Sequence, residues 1–250
     1  MSASKLGTLE QTGKRSYVAA MRVLRVAALK TGLLSWLKGK SSESRTAHWV
    51  RSLFYIHDID GLLDLDVPWW TYEAIEEVEQ FLSERPEARV FEFGSGASTI
   101  WLGHRAKEVK SVEHDAGWYP IVQERLKDGN FSKVTHTLIA PEPKSEGMEE
   151  TYLSSKPGHE GLDFTRYATS ILDEEGLFDL IVVDGRAREA CLLHASEKLA
   201  PGGMVVFDNS GRQRYAAGIA NSALKAVRYP GLAPSLPYRD ETTLLRAPDK

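Results

Sequence analysis

The sequence predicts a doubly wound α/β domain on a mostly parallel sheet, and three observations carry that prediction. Short, near-continuous apolar runs (VFEF at 90–93, LIVV at 180–183, MVVF at 204–207) have the composition of strands covered on both faces. Stretches of helical character separate those runs, which is the pattern of parallel strands joined by crossover helices. A glycine-bracketed turn, FGSG at 93–96, follows the first run directly and leads into a helix-like stretch. Glycines in such a turn let a ligand approach the backbone.

The elements follow in order. Residues 15–38 (RSYVAAMRVLRVAALKTGLLSWLK) contain no proline and are rich in helix formers. At about 100° per residue, Lys14, Arg15, Arg22 and Arg25 share one arc, with Val23, Leu24, Ala27 and Leu34 on the other side. Such a basic amphipathic helix either packs on its own domain or a partner subunit, the preferred reading, or rests peripherally on an anionic membrane. Lys30 interrupts the apolar run, so the segment is not read as a secretory signal, while an organellar transit peptide remains compatible. Residues 40–46 (KSSESRT) read as a linker. These parts make up a basic helical extension over residues 1–65, and the domain proper spans 66–250.

Residues 67–86 (VPWWTYEAIEEVEQFLSERP) read as a complete helix, with Thr71 as its cap and Pro86 as its stop. Ile75, Val78 and Leu82 share the face that packs on the sheet. Strands and helices then alternate. ARVFEF, VKSVEH, KVTHTLIA, LFDLIVVD and GGMVVFD are five strands, and ETTLLRA closes the sheet. STIWLGHRA, GWYPIVQERLKD, FTRYATSILDEE, AREACLLHASEKLA and RQRYAAGIANSALKA are the helices between them. Residues 141–162 break the rhythm, and a loop of that length after the third strand reads as a lid over the substrate or as a surface insertion.

Composition bounds the function. The chain has 250 residues, 42% hydrophobic and 26% charged, enough apolar material for a sizeable core. Its single cysteine, Cys191, excludes an internal disulfide framework and suits a reducing compartment, so a cytoplasmic location is expected. No apolar run reaches the ~20 residues that span a bilayer. Residues 1–51 carry ten Lys or Arg against two acids, a charge of +8, whereas the whole chain is −4. The body is therefore acidic, which is unlike a nucleic-acid binder.

The chemistry-bearing residues cluster at the ends of the strands. A dinucleotide turn requires G-x-G-x-x-G, but Gly94 and Gly96 are followed by Thr99 where the third glycine belongs. Glu92 ends an otherwise apolar strand, and a buried carboxylate there needs a partner such as a ligand ammonium. Glu113 ends the second strand, where a carboxylate can accept hydrogen bonds from both hydroxyls of an adenosine ribose.

FEFGSG, VEHD, FDLIVVDG and LAPGGMVVFDN together resemble the class I S-adenosylmethionine-dependent methyltransferases, over roughly residues 66–247. The resemblance implies the Rossmann-like methyltransferase fold of that family, with seven strands, the reversed one being ETTLLRA. It implies S-adenosylmethionine as cofactor, with Glu92, Gly94, Gly96 and Ser98 around the methionine end, Glu113 on the ribose and His114 beside the adenine. Asp184 would sit below the reacting methyl. Many members have a third glycine where Ser98 stands. Trp69, Trp70 and Tyr72 either wall the cofactor or substrate or pack the start of their helix.

A finer similarity is to the metal-dependent catechol-type O-methyltransferases. It implies Mg²⁺ on Asp184, Asp208 and Asn209, which would lower the pKa of a substrate hydroxyl. Arg186, Arg188, Arg212 and Arg214 crowd the same loops. They either replace the metal with salt bridges or bind an anionic acceptor. His159, in the long loop, is a candidate general base beside Asp184 and Asp208. His194 reads as structural.

The expected activity is O-methylation of a small hydroxylated acceptor, anionic or sugar-like. The alternatives are an NAD-linked oxidoreductase on a similar sheet, or an inactive cofactor-binding scaffold recruited to a membrane. A homo-oligomer is compatible with all of these.

Overall fold

The computed structural model describes residues 19–247 except 22, 57–58, 130, 146, 148 and 155–157. The N-terminal part is helical. A first helix, α1, covers the described residues 19–21 and 23–30, and α2 (Leu33–Lys40) follows a break at Gly32, whose φ of 77° suits glycine. The expected single helix over 15–38 is thus two, and residues 15–18 lie outside the described residues. The expected linker is only the turn before α3 (Arg45–Ser52), because the Ser44 hydroxyl accepts from the Ala47 N–H and caps that helix. Sequence reading assigned neither α3 nor α4 (Ile59–Leu65).

The extension is tied to the domain. Ser235 donates its N–H to the Ser52 hydroxyl and its own hydroxyl to the Ser52 carbonyl, and the Trp49 indole donates to the Leu236 carbonyl. Arg45 reaches Glu76, Arg105 reaches Asp66, and Arg125 reaches Asp60. The outermost helices behave differently from the wheel expectation. Arg25 lies over the Tyr55 ring at 4.5 Å, while Val23 (72% exposed), Leu24, Val26, Leu29, Leu33 and Trp36 (59%) face solvent. Among the described residues of these helices only Ala28, Leu34 and Leu37 are buried hydrophobics, packed against Ala47, Val50 and Phe54. Among the described residues, no helix is long and apolar enough to cross a membrane.

The domain begins with α5 (Tyr72–Ser83). Thr71 stands at its N-cap, but its hydroxyl donates to the Tyr229 carbonyl instead of capping the helix. The sheet is then built from β1 (Arg89–Phe93), β2 (Glu108–Glu113), β3 (Val134–Leu138), β6 (Phe178–Val183), β7 (Leu199–Phe207), β8 (Lys225–Leu232) and β9 (Arg239–Arg246). A small ribbon pairs β4 (Glu142–Pro143) with β5 (Leu162–Asp163). The seven strands lie in the order β3-β2-β1-β6-β7-β9-β8, with β9 antiparallel to both of its neighbours. The reversed ETTLLRA strand is as expected, whereas β8 was missed, because Pro230 and the half-exposed pattern of KAVRYPGL weaken the strand signal.

Helices α6 (Ala97–Arg105), α7 (Tyr119–Asp128), α8 (Thr165–Thr169), α9 (Arg188–Lys198) and α10 (Ala216–Asn221) complete the layers. Residue alternation along the strands sorts the core into two. Val90, Leu180, Val182, Met204 and Val206 pack against α5 and α6 through Ile75, Val78, Leu82, Trp101 and Leu102. Phe91, Phe93, Ile181, Val183, Val205 and Phe207 pack on the other face against Tyr167, Cys191, Leu192 and Ile219. The order reverses between β1 and β6, and in open α/β sheets ligands bind beyond the strand ends at that point.

Candidate active site

The strand register places the predicted residues in one row. The Gly94 N–H bonds to the Val112 carbonyl, Asp184 N–H to Phe93, and Asp208 N–H to Val183. Gly94, Glu113, Asp184 and Asp208 therefore stand side by side at the carboxyl edge. At the switch point the two turns touch. Gly94 has φ 95°, and a Cβ on it would lie 2.8 Å from the Gly185 Cα and N, so no other residue fits. A Cβ on Gly96 would meet nothing within 4 Å, so that backbone is open to a ligand.

Glu92 is fully buried on the α6 face and already has its partners. Ser98 and Thr99 each donate at 2.5 Å, and Ser111, its register partner on β2, donates at 2.6 Å. Burial pushes its pKa up to about 7, and the three hydroxyls limit the rise. The expected ammonium partner is thus replaced by protein hydroxyls, and Glu92 and Ser98 serve to brace the turn. Thr99 also accepts the Gly96 N–H at 2.9 Å, so the residue standing in place of a third glycine locks the turn through its hydroxyl.

Glu113 is buried at the tip of β2. It accepts from the Ser95 N–H and hydroxyl and from the N–H groups of His114 and Asp115. Burial works to raise its pKa, but His114 and these donors outweigh it and hold the carboxyl below its ordinary value. The His114 Nδ1 lies 2.8 Å from Glu113 Oε1 without an aligned hydrogen bond. The His114 ring is also 5.8 Å from that of His159, which brings the long loop back over this corner.

The expected metal set does not form. The Arg188 guanidinium, buried, donates to the Asp184 carboxylate at 2.8 Å and to the carbonyls of Asp184, Gly185 and Asp208, and lies 4.0 Å from the Asp208 carboxylate. Asn209 turns its amide to Asp240 at 2.9 Å. A cation already sits between the two carboxylates, and among the described residues no cluster of His, Cys, Asp or Glu could hold a metal ion. Mg²⁺ therefore does not fit this site. Asp208, whose pKa is raised by burial and by Asp184, receives the Thr242 hydroxyl and does not reach the open cleft. Arg188 is likewise occupied by the protein and is not a free ligand for an acceptor.

For Trp70 and Tyr72 the packing alternative holds, and the reading that they line the substrate site is overturned. Trp70 is fully buried beside Trp101, ring centroids 5.8 Å apart, in the core under α5. The Tyr72 hydroxyl bonds His48 Nδ1 at 2.8 Å between α5 and α3. Neither residue lines the site, because Trp70, just before α5, packs into the core and Tyr72, at its start, faces the extension. Trp69 alone stays near, packed with Ala97 at the start of α6.

The cleft itself lies on the β6 side. It has a volume of about 510 Å³ and is bounded by Gly185, Arg186, the start of α9, Arg214 with Tyr215, and Glu150 to Ser154 of the long loop. That loop is anchored by the Tyr152 hydroxyl on His194 Nε2 at 3.1 Å, so His194 has a structural role. Sequence reading missed Tyr167, whose hydroxyl abuts Gly185. It also missed Ser111, although a serine opposite an inward glutamate was a visible signal.

No known family profile and no curated protein matches the sequence. Solved structures do resemble it. Cofactor-bound Rv0187 from MTB is 17% identical, with a TM-score of 0.52 over 77% of this chain and 88% of that one. An rRNA methylase from Streptococcus thermophilus is 13% identical, with a TM-score of 0.47 over 70% of this chain and 96% of that one. N-methyltransferase NodS from Bradyrhizobium japonicum WM9 is 17% identical, with a TM-score of 0.43 over 71% of this chain and 96% of that one. With its helices on both faces, its strand order and its single reversed strand, the chain has the fold of the class I S-adenosylmethionine-dependent methyltransferases.

Proposed function

We propose that this protein is an S-adenosylmethionine-dependent methyltransferase acting on a hydroxyl oxygen of a small molecule. The observation that carries the reading is the touching pair of turns at Gly94 and Gly185, with an open Gly96 and an acidic residue ending β2. In this reading Gly94 and Gly96 receive the amino-acid end, Glu113 the ribose, and His114 the adenine side. When bound, the cofactor supplies an electrophilic methyl on a sulfonium. The protein's part is alignment: Asp184, about one-fifth exposed and paired with Arg188, stands beside Gly185 where the sulfonium would lie, and the cleft holds the acceptor in line. His159, the candidate base, lies beside His114 on the adenine side and does not line the cleft, so no proton transfer from the acceptor is assigned to it.

An acceptor of small-molecule size suits a cleft of about 510 Å³. The NAD-linked alternative is disfavoured because the third-glycine position holds Thr99, whose hydroxyl is committed to Glu92 and Gly96. We also propose that the exposed Val23, Val26, Leu29, Leu33 and Trp36 of α1 and α2 rest on an anionic lipid surface, since residues 19–40 hold basic residues and no acid. The test is calorimetric titration of the full chain with S-adenosylhomocysteine and, separately, with NADH. Micromolar binding of the first alone supports the reading. Binding of NADH alone supports an oxidoreductase, and binding of neither favours the scaffold.

A further inference from the structure

Two buried donor atoms beside Gly185, the Tyr167 hydroxyl and the Arg186 Nε, have no protein acceptor. The first is Tyr167 on α8, 1% exposed, whose hydroxyl has no hydrogen-bond partner. Its ring is wedged among Phe93, His114 and Phe164, with centroids 5.6 to 6.2 Å away, so the hydroxyl cannot swing out to water. It stands 1.9 Å from where a Cβ of residue 185 would be, and only glycine leaves that place open. The second donor is Arg186. Its Nε is buried without a partner, and its Nη1 reaches only the neighbouring Gly185 carbonyl, at 3.3 Å. The contrast with Arg188, two residues on, is instructive: that guanidinium is surrounded by carbonyls and carboxylates.

Orphaned buried donors are costly and uncommon, and they persist where a ligand completes them. Both groups have a proton to donate. A guanidinium has no acceptor atom, and burial holds the Tyr167 phenol well above its ordinary pKa, so it keeps its proton. Gly185 and Arg186 line the cleft, and the start of α9 opens on the same wall with no side-chain cap at Ala187. The missing component is therefore an anion with several acceptor atoms, small enough for the cleft.

We propose that Arg186 and Tyr167 form a carboxylate subsite, so that the methyl acceptor is a hydroxylated carboxylic acid. The word acceptor rests on the methyltransferase reading, but the subsite does not. A carboxylate presents two coplanar oxygens to one edge of a guanidinium, which suits the unpartnered Nε of Arg186. On the cleft walls Glu150 and Glu189 offset the charges of Arg186 and Arg214, and Arg188 is paired with Asp184, so a monoanion suits the lining better than a phosphate dianion. The loop carrying Glu150 and Thr151 and the aromatic Tyr215 close the rest of the space around the body of such an acid.

The experiment titrates the full chain, with and without saturating S-adenosylhomocysteine, against a series of hydroxybenzoates and short hydroxy acids and their matching primary amides. The expected result is an acid bound at least about tenfold more tightly than its amide, the scale of one charge-assisted pair. Arg186→Gln abolishes that preference, Tyr167→Phe reduces it, and both leave S-adenosylhomocysteine affinity within about twofold. Arg186→Lys, which keeps the charge but loses the fork, recovers only part of the preference and guards against a misfolded glutamine variant. Equal binding of acids and amides, or no binding of any acid, overturns the proposal. So does a loss of S-adenosylhomocysteine affinity in Arg186→Gln with acid binding intact, since the donors would then serve the cofactor's own carboxylate. An acid preference in a protein that ignores S-adenosylhomocysteine would uphold the subsite and sink only the methyltransferase reading.

Discussion

Replacing Glu92 by glutamine should change how the stability of this fold responds to pH. The carboxyl is fully buried and takes three hydroxyl donors, yet burial still leaves its pKa near 7, above the ordinary 4.5. As pH rises, the unfolded carboxyl loses its proton first, while the folded one keeps it until about pH 7. Between those values the folded state binds more protons, so the free energy of unfolding falls as pH rises. A displacement from 4.5 to about 7 corresponds to roughly 3 kcal/mol, of which about 2–3 kcal/mol is lost between about pH 5 and pH 8. Glu92→Gln cannot ionise and should lack this loss. Urea unfolding of both proteins at the two pH values measures it, and the difference between them removes every other titrating group. Curves that shift in parallel, within about 0.5 kcal/mol, would refute the argument, because the hydroxyls would then have offset burial completely.

The remaining predictions concern the neighbouring groups. Arg188→Met leaves Asp184 and Asp208 without their cation and should cost about 3–5 kcal/mol in urea unfolding. In the wild-type protein, added Mg²⁺ should leave the melting temperature unchanged, and a rise would restore the metal reading. Glu113→Ala should weaken S-adenosylhomocysteine by about 1–3 kcal/mol by calorimetry, and an unchanged affinity would remove Glu113 from the site. Trp70→Phe should lower stability by about 1–2 kcal/mol through the void it leaves, with cofactor affinity retained; a selective loss of affinity would return Trp70 to the site. Trp36→Ser should reduce sedimentation with phosphatidylserine vesicles about tenfold, and equal binding of both proteins would discard the lipid contact.

Much of this protein was legible from residue order, because the signals are local. Near-continuous apolar strands, the G-x-G turn after β1 and acids at strand ends depend on short-range rules of period and conformation. They placed Gly94, Glu113, Asp184 and Asp208 along one edge of a parallel sheet before any coordinates. Weak local patterns failed, as in KAVRYPGL, where a proline and exposed positions hid an edge strand, and in residues 45–65, where short helices gain their stability from docking. What sequence could not decide was which neighbour each polar group meets. Glu92 meets hydroxyls of α6 and β2, and Arg188 closes over the two aspartates where a metal was expected. Trp70 turns into the core, while the Tyr167 hydroxyl and the Arg186 Nε are left without acceptors beside Gly185. These pairings join residues from separate elements, and hydrogen bonds and ion pairs act over a few ångströms, so only the packing of the tertiary structure determines who partners whom.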